Sequence, residues 1–237
     1  YNPTKETVEL HQLNEILDKF VYSCSHDLRA PLASIQGLVR LAERTSQCEA
    51  TNDCMRMIDE SVERMDNFLQ SLESYVGNAR GPVLRNAINF EATINDILHK
   101  NKSEITERNI SVNLRVRQPV EFLSDDIRVS LILSHVIQNA IFFQDENKSD
   151  RFIDVEVIVN NEHAHIEVCD NGTGISKDIS KKVYDMFFRA SAASKGSGMG
   201  LFLTKEALEK LGGHIDFMSS KGAGTNFIII IPNSKIN

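Results

Sequence analysis

The chain has 237 residues, of which 41% are apolar and 25% charged, with twelve Gly and only five Pro. This composition excludes disordered and fibrous classes and fits one large domain or two ordinary ones, at roughly 100–200 residues each. A formal charge of −7 and a pI near 5.5 argue against general affinity for nucleic acid or an anionic membrane surface. The aliphatic run Phe227–Ile231 before Pro232 is too short to span a bilayer, so no membrane contact is expected of this fragment. No signal peptide is evident, and Tyr1 in place of an initiating Met leads to the expectation that the natural N-terminus lies upstream. Cys24, Cys48, Cys54 and Cys169 are too sparse for a disulfide framework, which suits a reducing, cytoplasmic setting. A redox bridge between Cys48 and Cys54 across a turn is the one conceivable exception.

The apolar pattern begins with period 3.5. Leu10, Leu13, Leu17, Phe20 and Cys24 alternate by three and four, and Leu28, Leu32, Ile35, Val39 and Ala42 resume the series after a stutter beside His26. A second series, Met55, Ile58, Val62, Met65, Leu69, Leu72 and Val76, follows a polar stretch from Thr45 to Asp53 that has the character of a hairpin turn. A lone helical hairpin has little core, so pairing with a second copy into a four-helix bundle is expected. Gly77 to Pro82 marks the joint, giving a first domain of residues 1–79 and a second of 80–237. Beyond the joint, helical patterns cover Ala87 to Glu107, Ile127 to Phe143 and Gly200 to Leu211. Strand-like runs cover Ile110 to Val116, Phe152 to Val159, His163 to Val168, His214 to Met218 and Thr225 to Ile231. The alternation of helix and strand points to an α/β or α+β domain after the helical hairpin.

Four constellations carry chemistry. Ser25-His26-Asp27-Leu28-Arg29-Ala30-Pro31-Leu32 places an imidazole on the flank of the first seam beside a carboxylate, an arrangement suited to nucleophilic work on phosphorus; taken alone, an ordinary surface His on a coiled coil is the favoured reading. Asp170-Asn171-Gly172-Thr173-Gly174 follows a strand and permits close ligand approach, or merely a tight turn; Lys177 stands where a Rossmann fingerprint needs its third Gly. Gly196-Ser197-Gly198-Met199-Gly200-Leu201 opens a helix whose unpaired N–H groups suit an anion, although no P-loop ending is present. Asn139 follows His135 by four residues on one helix face and offers a neutral oxygen of the kind a phosphate-bound Mg²⁺ accepts. His163 and His165 share a strand face but have no evident third ligand, which favours surface or packing roles over a metal.

The order of these motifs resembles the catalytic core of a sensor histidine kinase: a dimerisation and phosphoacceptor hairpin, then an ATP-binding domain of the type shared with gyrase, Hsp90 and MutL; the fold class this implies is a helical hairpin forming a dimeric four-helix bundle, followed by an α/β sandwich, a mixed sheet covered by helices on one face. The resemblance implies that His26 attacks the γ-phosphate of ATP, with Asp27 as general base, and that the phosphoryl group passes to an aspartate on a separate response-regulator receiver. It implies Asn139 as Mg²⁺ ligand and Asp170 as acceptor of the adenine amino group, a geometry that rejects GTP, with Gly172 and Gly174 shaping that pocket. Phe187 and Arg189 fall in the aromatic box anchoring a mobile lid. Gly196, Gly198, Gly200 and Leu201 fall in its glycine box, and Thr225 in the final box near adenine. A sensory domain is expected upstream of Tyr1.

Three positions depart from the family pattern. His135 stands where an Asn is usual, Phe142 where a phosphate-binding Lys is usual, and Ala30 where Thr or Asn orients a water in strong phosphatases. Weaker ATP use is the expected consequence of losing the lysine, with Arg189, Lys195 or another basic residue as the replacement cation. Weak phosphatase activity is the expected consequence of Ala30. The alternative from a different class is a docking module with a degenerate nucleotide site.

Overall fold

Helical and strand periods separate along the chain as the side chains dictate. The computed structural model describes residues 28, 31–42, 48–190 and 197–234. Residues 31–42 are helical (α1), and α2 runs unbroken over Cys48–Arg80. The expected polar turn is thus already helical from Cys48 on. Cys48 and Cys54 lie on one helix six residues apart, roughly 9 Å along its axis, which is too far for a disulfide. Cys54 is a buried free thiol.

Among the described side chains of α2 the buried ones are Cys54, Ser61, Phe68 and Asn78, and the first three stand one residue before Met55, Val62 and Leu69, which are exposed. Ile58, Met65 and Leu72 are half-buried. The single-chain seam is therefore displaced by one residue from the one predicted. The apolar stripe is wider than a two-helix contact covers, and its outer heptad row stays open. On α1, Leu32 and Val39 are exposed in the same way. Two compact units divide within α2, between Glu73 and Ser74.

The second unit holds every described strand. After Pro82 a two-residue strand β1 (Asn86–Ala87) pairs antiparallel with β3 (Leu123–Ser124). Both are too short to show a period, and Ala87, predicted as the start of a helix, belongs to this ladder. Helix α3 (Phe90–Lys100) starts instead at Asn89, whose side-chain oxygen accepts from the Ala92 N–H at 3.0 Å. It breaks at buried Asn101, which donates back to the Ile97 carbonyl, and resumes as α4 (Lys102–Glu107).

Five strands, β2 (Ser111–Arg117), β4 (Phe152–Val159), β5 (His163–Asp170), β6 (His214–Ser220) and β7 (Gly224–Pro232), form a sheet of order β2-β4-β5-β7-β6. The β2–β4 pair is parallel and the others antiparallel, so the sheet is mixed. Period-two alternation sends Ile153, Val155, Val157, Ala164, Ile166, Val168, Ile229 and Ile231 to one face, all fully buried. They meet α3, α5 (Asp126–Phe142) and α6 (Gly200–Leu211), through residues such as Phe90, Ile94, Ile132, Val136 and Leu208. The opposite face carries Asp154, Glu156, His163, His165 and Glu167 with polar pairings such as Asn113 to Asp154 at 2.7 Å. His163 and His165 are half-exposed there, and His165 lies 3.8 Å from Glu167. This is the helices-on-one-face sandwich expected.

The start of α5 is anchored by a buried guanidinium. Arg128 donates to Asn78 Oδ1 (2.9 Å), the Asn78, Gly81 and Pro82 carbonyls (3.1, 2.8 and 3.0 Å) and Asp125 Oδ2 (2.5 Å). Asp125 is also the N-cap of α5 and accepts from the Leu84 N–H at 2.9 Å. Burial alone would raise the Asp125 pKa; the bonds from Arg128 and Leu84 outweigh it and hold the carboxyl below its usual value.

Candidate nucleotide site

Asp170 ends β5, where the strand runs two residues beyond its predicted limit, and is buried. Its Oδ1 accepts from the Gly172 N–H at 2.7 Å, and the Thr225 N–H bonds the same carboxyl. Burial pushes its pKa up to about 6, against the lowering pull of those two N–H groups and the Lys148 ammonium. The glycines around it are sterically required. A Cβ on Gly172 would stand 2.2 Å from the Phe143 carbonyl oxygen, and one on Gly174, which has φ +65°, would stand 2.0 Å from the Ser220 oxygen. Thr225 is buried directly across the ladder from Asp170 and its hydroxyl meets Ser219 Oγ at 2.9 Å.

Asn139 lies on α5, one turn before its end, and is half-buried. The Phe143 carbonyl at the end of α5 accepts from the Thr173 N–H at 2.8 Å, so the helix terminus is joined to the Asp170 turn. One turn earlier than Asn139, the His135 ring packs under the start of α6: a Cβ on Gly200 would stand 3.3 Å from His135 Nδ1. Burial lowers the His135 pKa to about 4, so the ring is neutral at physiological pH. The histidine that replaces the family Asn thus serves as a packing surface for the glycine turn.

The segment between the two clusters is a chain of i→i+3 turns from Ser176 to Phe188. Tyr184 anchors it, its ring 6.0 Å from that of Phe217 on β6, and Lys205 Nζ lies 5.9 Å over the same ring. Burial pushes the Tyr184 hydroxyl well above its ordinary value. Phe187 has φ +64°, an uncommon conformation for a bulky residue, and the Phe187 and Phe188 backbone lies so close to Gly198 that a Cβ there would stand 2.8 Å away. Gly198, at φ +72°, leads into α6, whose N-cap is buried Met199. Leu201 is half-buried against the core.

Sequence reasoning placed Asp170, Gly172, Gly174 and Thr225 in one group and Phe187, Gly198, Gly200 and Leu201 in another. The structure brings each group together and lays both against α5. Arg189 is exposed. His26, Asp27, Ala30, Lys195 and Gly196 lie outside the described residues. The cation that the structure sets beside Phe142 is Arg108, whose guanidinium carbon is 6.0 Å from the ring centroid, and sequence reasoning did not anticipate it. Lys148 and Phe143 were also missed, having no motif of their own.

Two family models match the chain. Residues 16–76 match the His Kinase A phospho-acceptor domain, and residues 124–235 match the histidine kinase-, DNA gyrase B- and HSP90-like ATPase. The chain belongs to the histidine kinase family. This kinase core is 31% identical over 229 residues to the methanogenesis regulatory histidine kinase FilI of Methanothrix harundinacea, covering 94% of the chain and 25% of that relative. It is 23% identical to the signal transduction histidine-protein kinase BarA of Escherichia coli K12, covering 90% of the chain and 24% of BarA. The kinase core thus spans about a quarter of the length of these two relatives. Among solved structures it superposes on the Acinetobacter baumannii histidine kinase AdeS with a TM-score of 0.68 at 18% identity, covering 89% of the chain and 98% of AdeS. On the histidine kinase ThkA in complex with the response regulator TrrA the TM-score is 0.73 at 18% identity, covering 94% of the chain and 64% of that structure. Among the described residues no helix is long and apolar enough to cross a membrane.

Proposed function

We propose that this histidine kinase core, divided into a phosphoacceptor domain of residues 1–79 and an ATP domain of 80–237, transfers the γ-phosphoryl group of ATP to His26. The observation that carries the reading is the placement of both residue clusters along one helix. From His135, under the start of α6, to Phe143, beside the Asp170 turn, α5 rises roughly 12 Å, with Asn139 midway. Ionised Asp170 accepts from the adenine amino group at one end, and the N–H groups that open α6 receive phosphate at the other.

In the reaction a neutral His26 nitrogen attacks the γ-phosphorus. A P–N bond forms, the P–O bond to ADP breaks with the electron pair leaving on ADP, and Asp27 holds the proton lost from the imidazole. Asn139 is a single neutral donor, and among the described residues no cluster of three or more acidic, His or Cys side chains could hold a metal. That donor set fits Mg²⁺, which binds through one or two protein ligands plus substrate phosphates. Bound there, the ion would offset charge on the phosphates. Arg108, its guanidinium carbon 6.0 Å from the Phe142 ring centroid, supplies positive charge near the position the family fills with lysine. The phosphoryl group then passes to a receiver aspartate of a response regulator.

The decisive experiment is incubation with γ-labelled ATP. A label stable in alkali, lost in acid and absent from His26→Gln is expected; no label under any condition would reject the kinase reading and favour the docking module.

The same reading includes a homodimer. The row Leu32, Val39, Met55, Val62 and Leu69 remains about half exposed in one chain, so covering it yields about half the value of a full burial, on the order of 1 kcal/mol for each side chain. Val62→Asp with Leu69→Asp is expected to convert the dimer to monomer in sedimentation velocity, without moving the melting of the ATP unit. A dimer that persists in this variant would contradict that assignment.

A further inference from the structure

We infer that Lys148 is a positioning residue for the purine end of the site: its ammonium braces the Asp170–Gly174 turn against the Ser220–Thr225 turn and so sets where Asp170 meets the base. The inference deepens the ATP reading above and rests on it.

Lys148 lies in the loop after α5 and is half-buried. Its Nζ donates to the Asn171 carbonyl at 2.6 Å and to the Gly222 carbonyl at 2.8 Å, with the Gly172 carbonyl at 3.5 Å. An ammonium has three N–H donors, and charge-assisted bonds of this length are the stronger kind. The acceptors come from turns about fifty residues apart in sequence, so a single cation joins them. Around this brace the turns are in backbone contact. The Gly222 N–H donates to the Thr173 carbonyl at 2.7 Å, and the Ile175 N–H donates to Ser219 Oγ at 2.8 Å. A Cβ on Gly224 would stand 2.0 Å from the Asp170 carbonyl oxygen. A shift of the second turn is therefore passed directly to Asp170.

The loop carrying Lys148 is itself held. Arg151 donates to the Asp145, Glu146 and Arg108 carbonyls at 3.0, 2.8 and 2.6 Å, and the Asn171 amide donates to the Asp150 carbonyl at 2.9 Å. A lysine on a mobile loop would add backbone-ordering entropy to its side-chain rotamer cost; here its base is fixed and only the rotamer cost remains.

The test uses the whole chain with Lys148→Met and Lys148→Arg. Two quantities are read: amide exchange at Gly222 without nucleotide, and binding of ATP against purine riboside triphosphate, which lacks the 6-amino group. In Lys148→Met, exchange at Gly222 should rise about tenfold and ATP affinity should fall about tenfold, with the analogue changed less than about twofold. Lys148→Arg, which keeps charge and donors, should restore both. Unchanged exchange in Lys148→Met overturns the brace, and an equal loss for both nucleotides overturns the positioning role. A wild-type protein that binds ATP no better than the analogue overturns the ATP reading itself, and is seen before any variant is compared.

Discussion

Asp170→Asn is expected to bind ATP about 10- to 100-fold more weakly than the wild type, the cost of replacing a charged acceptor by a neutral one at a buried hydrogen bond. Discrimination against GTP should fall in the same variant, because the new amide can donate to the guanine carbonyl that a carboxylate repels. The pH dependence separates this from a folding defect. With its pKa pushed up to about 6, Asp170 is ionised above that pH and loses its acceptor function below it, so wild-type ATP affinity should decline as pH falls through 6. The variant should lack this acid limb.

Stability runs the other way. A carboxyl whose pKa is higher in the folded than in the unfolded chain holds its proton more tightly when folded, so stability is lost as pH rises from about 4 to about 6 and is constant above. Two units correspond to a change on the order of 3 kcal/mol, which Asp170→Asn should not show. Denaturant titrations at pH 4 and pH 8 give the comparison. A wild type and variant with parallel stability profiles would mean that Asp170 is not held in the strained, charged state assigned to it.

The second large effect concerns Arg128. Arg128→Met leaves Asp125 buried without its charge partner and takes the donor from Asn78 Oδ1 and the Gly81 and Pro82 carbonyls, while the Asn78 carbonyl keeps the Lys210 ammonium, a loss of about 3–5 kcal/mol. Adding Asp125→Asn removes the stranded charge while keeping an N-cap residue, so the double variant should be more stable than Arg128→Met alone. Arg128→Lys should fall between, since three donors cannot serve five acceptors. Asp125, whose carboxyl is held below its usual value, adds a pH signature. Its contribution is present above the unfolded pKa of 3.8 and disappears as pH falls through the lower folded value, and Arg128→Met, which keeps the backbone N–H bonds of residues 128 and 84 but loses the guanidinium, should weaken that acid transition. Equal stability of Arg128→Met and wild type in urea would refute this account.

How much of this was legible beforehand follows the range of each interaction. Strand alternation in Phe152–Val159 and helical spacing in Ile127–Phe143 are local, and the elements formed within a residue or two of their predicted limits. Glycines 172, 174 and 198 were legible because close approach leaves a local mark. β1 and β3 were not, since two residues carry no period. The seam on α2 was placed one residue off because heptad spacing reports an apolar stripe without saying which of its rows a partner chain covers. Lys148, Arg108 and Arg128 act across separations of 23 to 74, 34 and 46 to 50 residues, and nothing in their neighbours distinguishes them from ordinary surface cations. His135 was visible as a departure, but its meaning lay in Gly200, which only the fold brings to it.

The start of α6 has a cost in electrical terms. Helices α3, α4 and α5 each carry an acid in the first turn, Glu91, Glu104 and Asp126, whereas α6 carries none and has no side-chain cap. In a chain of net charge −7, carboxylates are plentiful, yet this pole is left unneutralised, forgoing about 0.3–1 kcal/mol of stability. The nucleotide-free fold therefore holds one uncompensated half-charge in reserve. An acid at the start of α6 would discharge it and compete with phosphate for the same N–H groups.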